Sequence, residues 1–126
     1  KTKKEFPGYF RAGLYLPLYK WSPVALAKKI TLRSSAILGG TTREEKKLLH
    51  QIIRESDMGF VRWAISAILH WENMTTPSNI IHVHGTVDKL LPIRYVKADY
   101  RIEGGTHVMT LDKHQEISQL LEKLIQ

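Results

Sequence analysis

The chain has 126 residues, 43% hydrophobic and 25% charged, the balance of a single soluble globular domain. It has no cysteine, which excludes disulfides and thiolate metal sites, and no apolar run near the ~18 residues of a membrane helix. Its net charge of +7 comes from basic residues spread from Lys1, Lys3 and Lys4 through Arg43, Lys46 and Lys47 and onward; no predicted helix carries a one-sided basic stripe, so no specific nucleic-acid partner is expected.

Residues 6–22 mix aromatics (Phe6, Tyr9, Phe10, Tyr15, Tyr19, Trp21) with breakers, and prolines at 7, 17 and 23 leave room only for short helical pieces. Ser22 as N-cap and Pro23 at the first helical position predict a helix over about 23–38, ending at Gly39-Gly40. Thr42-Arg43-Glu44-Glu45 reads as a capping box, in which the Thr42 hydroxyl takes the Glu45 amide and the Glu45 carboxylate reaches back. The helix it opens is expected to bury Leu48, Leu49, Ile52 and Ile53. Asp57 caps a third helix, where Phe60, Val61, Ala64, Ile65, Ile68 and Leu69 recur at helical spacing. Asn73 to Asn79, with Pro77, reads as a loop.

The period then changes. Ile80 to His84 is a short β-branched run suited to a buried strand, and Asp99 to Glu103 alternates as a second one. Pro92 to Ala98 fits a short helical crossover between them. Asp112 is expected to cap a final helix whose apolar face is Ile117, Leu120, Leu121, Leu124 and Ile125. The fold class is therefore α/β: a mostly helical first part, residues 1–75, followed by a β-loop-β-α unit, residues 76–126.

Two segments carry the chemistry. His84-Gly85-Thr86-Val87-Asp88-Lys89-Leu90-Leu91-Pro92 follows the first strand, and Gly104-Gly105-Thr106-His107-Val108-Met109 follows the second. If the strands are parallel neighbours, Asp88 and His107 arrive at one edge of the sheet. An aspartate placed there orients an imidazole and stabilises it when it gains a proton. Taken singly, Asp88 also reads as a turn aspartate bonding its own backbone, and His107 as a partly buried histidine with a backbone partner. His82 and His84 share a strand face as a metal pair would, but no third ligand lies nearby in sequence, so no metal and no cofactor is expected. His50, His70 and His114 fall on helix surfaces.

These motifs resemble the C-terminal part of an α/β-hydrolase. In that family the penultimate strand ends in H-G-x-x-D-x-x-x-P and the last leads into G-G-x-H-x-M, with a closing helix. Residues 80–126 carry the resemblance and residues 1–79 carry it by position alone. It implies a partial hydrolase fold that lacks the N-terminal strands, with Asp88 as the acid and His107 as the base. It also puts the helical part where the family inserts a cap, so that Phe10, Tyr15, Tyr19, Trp21, Trp63 and Trp71 either roof an acyl pocket or fill ordinary core. Thr106 stands at a position that is often glycine in such sequences. The family's nucleophile elbow, G-x-S-x-G, is absent, since none of Ser22, Ser34, Ser35, Ser56, Ser66, Ser78 and Ser118 lies between glycines at that spacing.

The resemblance thus implies a fragment of a serine-type hydrolase for small acyl substrates, inactive alone. The alternative is a non-catalytic module that reuses the half-fold to self-associate. Two short parallel strands with bare edges are expected to pair with a second copy or with the missing N-terminal half. Lys1 to Pro7 has no initiating Met and no apolar signal core, which gives a cytoplasmic expectation with the natural N-terminus missing.

Overall fold

The computed structural model describes residues 2–15, 18–33 and 35–125, and for Arg11, Gly13, Leu14, Leu18, Tyr19, Ala27, Ile30 and Thr31 the backbone alone. Lys1, Pro17, Ser34 and the side chain of Tyr19, all used above, lie outside the described residues.

Short helices α1 (Tyr9–Tyr15) and α2 (Leu18–Trp21) lead into α3 (Val24–Arg33) and α4 (Ser35–Leu38). The helix expected over 23–38 is helical over both of its described stretches, and position 34 between them lies outside the described residues. Gly39 and Gly40, at φ 114° and 90°, take the chain out of α4 in a backbone region that side chains disfavour. Helix α5 (Arg43–Glu55) starts at the expected capping box. The Glu45 amide donates to Thr42 Oγ1 at 3.2 Å, and Glu45 Oε2 accepts from the amides of Thr42 (2.9 Å) and Thr41 (2.6 Å). Those donors hold the Glu45 carboxyl below the ordinary glutamate range, the Thr42 amide most strongly. Helix α6 (Met58–Leu69) is capped by Asp57, whose Oδ1 accepts from the Phe60 amide at 2.7 Å.

Burial is thinner than the apolar periodicity predicts. Helix α5 buries Leu49 and Ile53 but leaves Leu48 and Ile52 42% and 50% exposed. On α6, Phe60 and Trp63 pack on each other with ring centroids 5.7 Å apart, yet both stay exposed. Helix α6 meets α1 and α2, and part of its apolar face stays uncovered by the described residues. Arg62 Nη2 adds one polar tie, donating to the Ser22 carbonyl at the start of α3.

The strands β1 (Val83–Gly85) and β2 (Tyr100–Ile102) are parallel, in the register Val83↔Tyr100, His84↔Arg101, Gly85↔Ile102. Both are shorter than the apolar runs that announce them. Ile80 and Ile81 precede β1 and are exposed, because pairing begins only at His82. There the His82 carbonyl accepts from the amides of Asp99 and Tyr100, while the His82 amide is taken by Asp99 Oδ2 at 2.8 Å. The crossover holds one 3-10 turn, Ile93–Tyr95, rather than a helix over residues 92–98, and leads to the buried Val96.

The C-terminal end corrects one expectation. Met109–Asp112 forms its own short helix, α7, and α8 (His114–Ile125) begins after it. Asp112 closes α7 and caps nothing: its carboxylate oxygens are buried and hydrogen-bond to no group among the described residues. Lys113, at φ −134° and ψ 29°, breaks the helix, and its carbonyl accepts from the Ile117 amide at 3.0 Å to open α8. The protein is thus mostly helical with a small two-stranded parallel sheet. None of its described helices is long and apolar enough to cross a membrane.

Candidate functional site: the paired Asp88 and His107

Parallel pairing delivers the chain leaving Gly85 and the chain leaving Ile102 to the same edge of the sheet. The two loops are then stitched together. The Thr86 amide donates to the Ile102 carbonyl at 3.0 Å and the Val87 amide to the Gly105 carbonyl at 3.1 Å. Thr86 Oγ1 accepts from the Gly104 amide (2.9 Å) and donates to Glu103 Oε1 (3.2 Å). Gly104 takes φ 68°, whereas Gly85 is needed for space, since its Cα faces the Gly105 backbone directly.

Asp88 is anchored through both oxygens. Oδ1 accepts from the amides of Leu90 and Leu91, each at 2.8 Å, and Oδ2 lies 3.0 Å from His107 Nδ1. An ionised carboxylate only accepts, so Nδ1 carries the hydrogen and the lone pair sits on Nε2. No described group hydrogen-bonds that Nε2. The Asp88 side chain is 3% exposed and that of His107 32%, so the carboxylate is buried behind a ring that reaches solvent. Asp88 as a turn aspartate and Asp88 as an imidazole partner are therefore one arrangement, each served by its own oxygen.

His84 is part of the same cluster. It is buried, its Nε2 donates to the Leu91 carbonyl at 2.8 Å, and it lies 3.5 Å from Asp88 Oδ2. The shorter contact holds the far end of the acid loop, which keeps the Leu90 and Leu91 amides aimed at Oδ1. His82 turns elsewhere, with Nδ1 donating to the Lys97 carbonyl at 3.0 Å, and its ring meets that of His84 edge-on at 5.5 Å. Among the described residues no cluster of three His, Asp or Glu side chains fits a metal ion. His50, His70 and His114 bond Ser35 Oγ, the Ser66 carbonyl and the Leu111 carbonyl respectively.

Two contacts from the helical part reach this edge, and neither has a sequence signal. Tyr9 on α1 donates its hydroxyl to the Leu90 carbonyl at 2.7 Å, across the whole length of the helical segment. Partial burial, and then the nearby Tyr95 and Asp88 charges, push its phenol up from the usual tyrosine range. Gly39 abuts the histidine loop: a Cβ there would fall 2.2 Å from Thr106 Oγ1. Thr106 is thus matched by a glycine opposite it.

The pair opens on a hollow of about 160 Å³ walled by Val83, Leu91, Thr106 and Met109. No aromatic side chain other than the histidines lines it, and no described serine does. None of the described helical aromatics lines this hollow: Tyr15 and Trp21 are 84% exposed, and Phe10 packs half-buried against Phe6 and Tyr9. A larger hollow, about 790 Å³, lies at the amino ends of the strands among Trp71, Pro77, Ile80, Ile81 and Tyr95, away from the ionisable pair. Chemically, an imidazole with Nδ1 on a buried carboxylate and an open Nε2 is arranged to take a proton from a hydroxyl presented at Nε2. No protein-family model, curated protein or solved structure matches the chain.

Proposed function

We propose that this chain supplies the acid, Asp88, and the base, His107, of a serine-type α/β-hydrolase acting on carboxylic esters or related acyl bonds, with the nucleophile contributed from outside it. The reading is carried by the 3.0 Å contact between Asp88 Oδ2 and His107 Nδ1 where two parallel strands end. In it, His107 Nε2 takes the serine proton as the hydroxyl attacks the acyl carbon, then hands that proton to the departing alkoxide. Asp88 holds the Nδ1–H tautomer and stabilises the imidazolium between the two transfers. Water then attacks the acyl-serine, again with His107 as base.

The surface supports a chain that packs against further polypeptide. Trp21, Phe60, Trp63, Ile80 and Ile81 are all more than half exposed, which is unusual for large apolar side chains of a finished domain. The isolated chain is expected to hydrolyse nitrophenyl esters no faster than background, because no described serine lines the hollow at His107. A polypeptide extended upstream through a G-x-S-x-G elbow is expected to turn the ester over, and His107→Ala to remove that turnover. Turnover indifferent to His107 in such a polypeptide would sink the reading.

A second reading rests on the sheet itself. Among the described residues β1 and β2 pair only with each other, so each presents an edge that another strand can extend. A non-catalytic, self-associating module would use these edges between copies. Sedimentation is then expected to show a concentration-dependent dimer, and a well-folded monomer at every concentration counts against it.

A further inference from the structure

The expectation that no helix carries a one-sided basic stripe fails at α5, where the basic residues gather on one face once they are counted around the helix. Arg43, Lys46, Lys47, His50 and Arg54 recur at three- and four-residue intervals and, with Gln51 and Glu55 at one border, line a hollow of about 600 Å³ along the helix. His50 and Arg54 also line a neighbouring hollow of about 410 Å³, whose other wall is Lys28, Lys29 and Arg33 of α3 and whose floor is Ala25 and Leu32. Lys28 Nζ donates to the Arg54 carbonyl, which joins the two helices at one end of this groove. Ser35 Oγ, 3.0 Å from His50 Nε2, sets the ring between them.

We propose that the groove between α3 and α5 binds a small soluble molecule carrying several phosphate groups. This inference is independent of the hydrolase reading. Among the described residues none of these lysines and arginines is paired with a carboxylate, because the ion pairs lie at Asp88 and at Lys113–Glu116. One carboxylate, Glu55, lines the α5 hollow against the four cations Arg43, Lys46, Lys47 and Arg54, which leaves the hollow strongly basic. Glu45 serves the cap, and Glu55 accepts from Gln51 Nε2 at 2.9 Å. Like charges gathered in excess of counter-charge repel one another, and a multivalent anion relieves that repulsion at several contacts together. Arginine forks beside lysine point charges suit phosphate oxygens.

The shape and lining favour a small ligand over larger polyanions. No Phe, Tyr or Trp lines either hollow, so bases of a single strand have no ring to stack on. The groove is also short, since 13 residues of α5 span about 20 Å. A membrane would need cations and apolar side chains on one face. The half-exposed Leu48 and Ile52 instead lie on the far side of α5 from the stripe, so headgroup contact and hydrocarbon insertion exclude each other.

Calorimetric titration of the intact chain with sodium tripolyphosphate at near-physiological salt tests this. Saturable binding is expected, weakened about tenfold or more by Lys46→Glu with Arg54→Glu and unchanged by Lys97→Glu with Lys123→Glu, which alters the net charge equally. If the first pair fails to fold by circular dichroism, Lys28→Gln with Lys29→Gln on the opposite wall gives the same reading. No saturable binding, or equal loss in both charge-matched pairs, overturns the proposal. Tighter, variant-sensitive binding to an oligothymidylate or to phosphatidylserine vesicles overturns it in favour of a nucleic acid or a membrane.

Discussion

Asp88→Ala is expected to destabilise the chain by about 3 kcal/mol, at ~1–3 kcal/mol for each buried amide left without an acceptor. Oδ1 takes both the Leu90 and Leu91 amides, and the side chain that offers it is almost fully buried. Removing the carboxylate leaves those donors facing a small void, and it also frees His107 Nδ1. Domains are stable by only about 5–15 kcal/mol, so the loss is a large share of the total. Asp88→Asn separates the two jobs. Its amide oxygen can still accept both backbone donors, which limits the cost to about 1 kcal/mol. Its amide nitrogen, however, replaces the acceptor opposite His107, so the imidazole hydrogen is expected to move from Nδ1 to Nε2. Urea denaturation reads the first effect and nitrogen-15 NMR of the His107 ring reads the second. Equal destabilisation by Ala and Asn would show that Oδ1 does not hold the loop. An unchanged tautomer in the Asn variant would show that Oδ2 does not select it.

The same residues show what could be read in advance and why. An aspartate three residues after a glycine, ahead of Leu90 and Leu91, is a local signal, because an aspartate accepts from amides two and three residues on. The capping box at Thr42 and the cap at Asp57 are equally local, and both stand where the sequence puts them. The pairing of Asp88 with His107 is not local, but it follows once the two strands are parallel, since strand direction alone decides which loops share an edge. Asp112 shows the limit of such signals. A good capping residue stands before an apolar helix, yet Met109 to Asp112 close a turn of their own first and move the start of α8 past it. What decided between the two was backbone geometry at Lys113, which no side-chain preference announces.

Less legible was everything that depends on what covers what. The apolar face of α6 is plain in the sequence, yet Phe60 and Trp63 on it stay exposed. Tyr9 reaches Leu90 from the opposite end of the chain, and a lone tyrosine in an aromatic-rich segment carries no address. The basic stripe on α5 is a different case. Its spacing is itself helical, and a count around α5 rather than along the chain finds it; only the contribution of Lys28 and Lys29 needs the packing of α3.

Gly85→Ala is expected to be more damaging still, costing about 4 kcal/mol and separating Asp88 from His107. The added Cβ would stand 2.2 Å from the Gly105 carbonyl oxygen, 2.5 Å from its carbon and 3.0 Å from the Thr106 oxygen. All three are backbone atoms, so no rotamer change can yield the space and the histidine loop must move as a body. That movement breaks the Val87–Gly105 hydrogen bond that joins the loops and carries His107 away from Oδ2. The reverse change is milder. A Cβ on Gly105 would meet Gly85 Cα at 3.1 Å and the Ile102 oxygen at 3.2 Å, contacts that shifts of a few tenths of an ångström relieve, for about 1–2 kcal/mol. The two alanines remove the same kind of residue from the same contact, so the asymmetry tests the direction of approach rather than glycine flexibility as such. Thermal melts of both variants, with the His107 ring followed by NMR, distinguish the cases. Equal and small effects would mean that the two loops do not press on each other, and the geometry that brings carboxylate and imidazole together would need another cause.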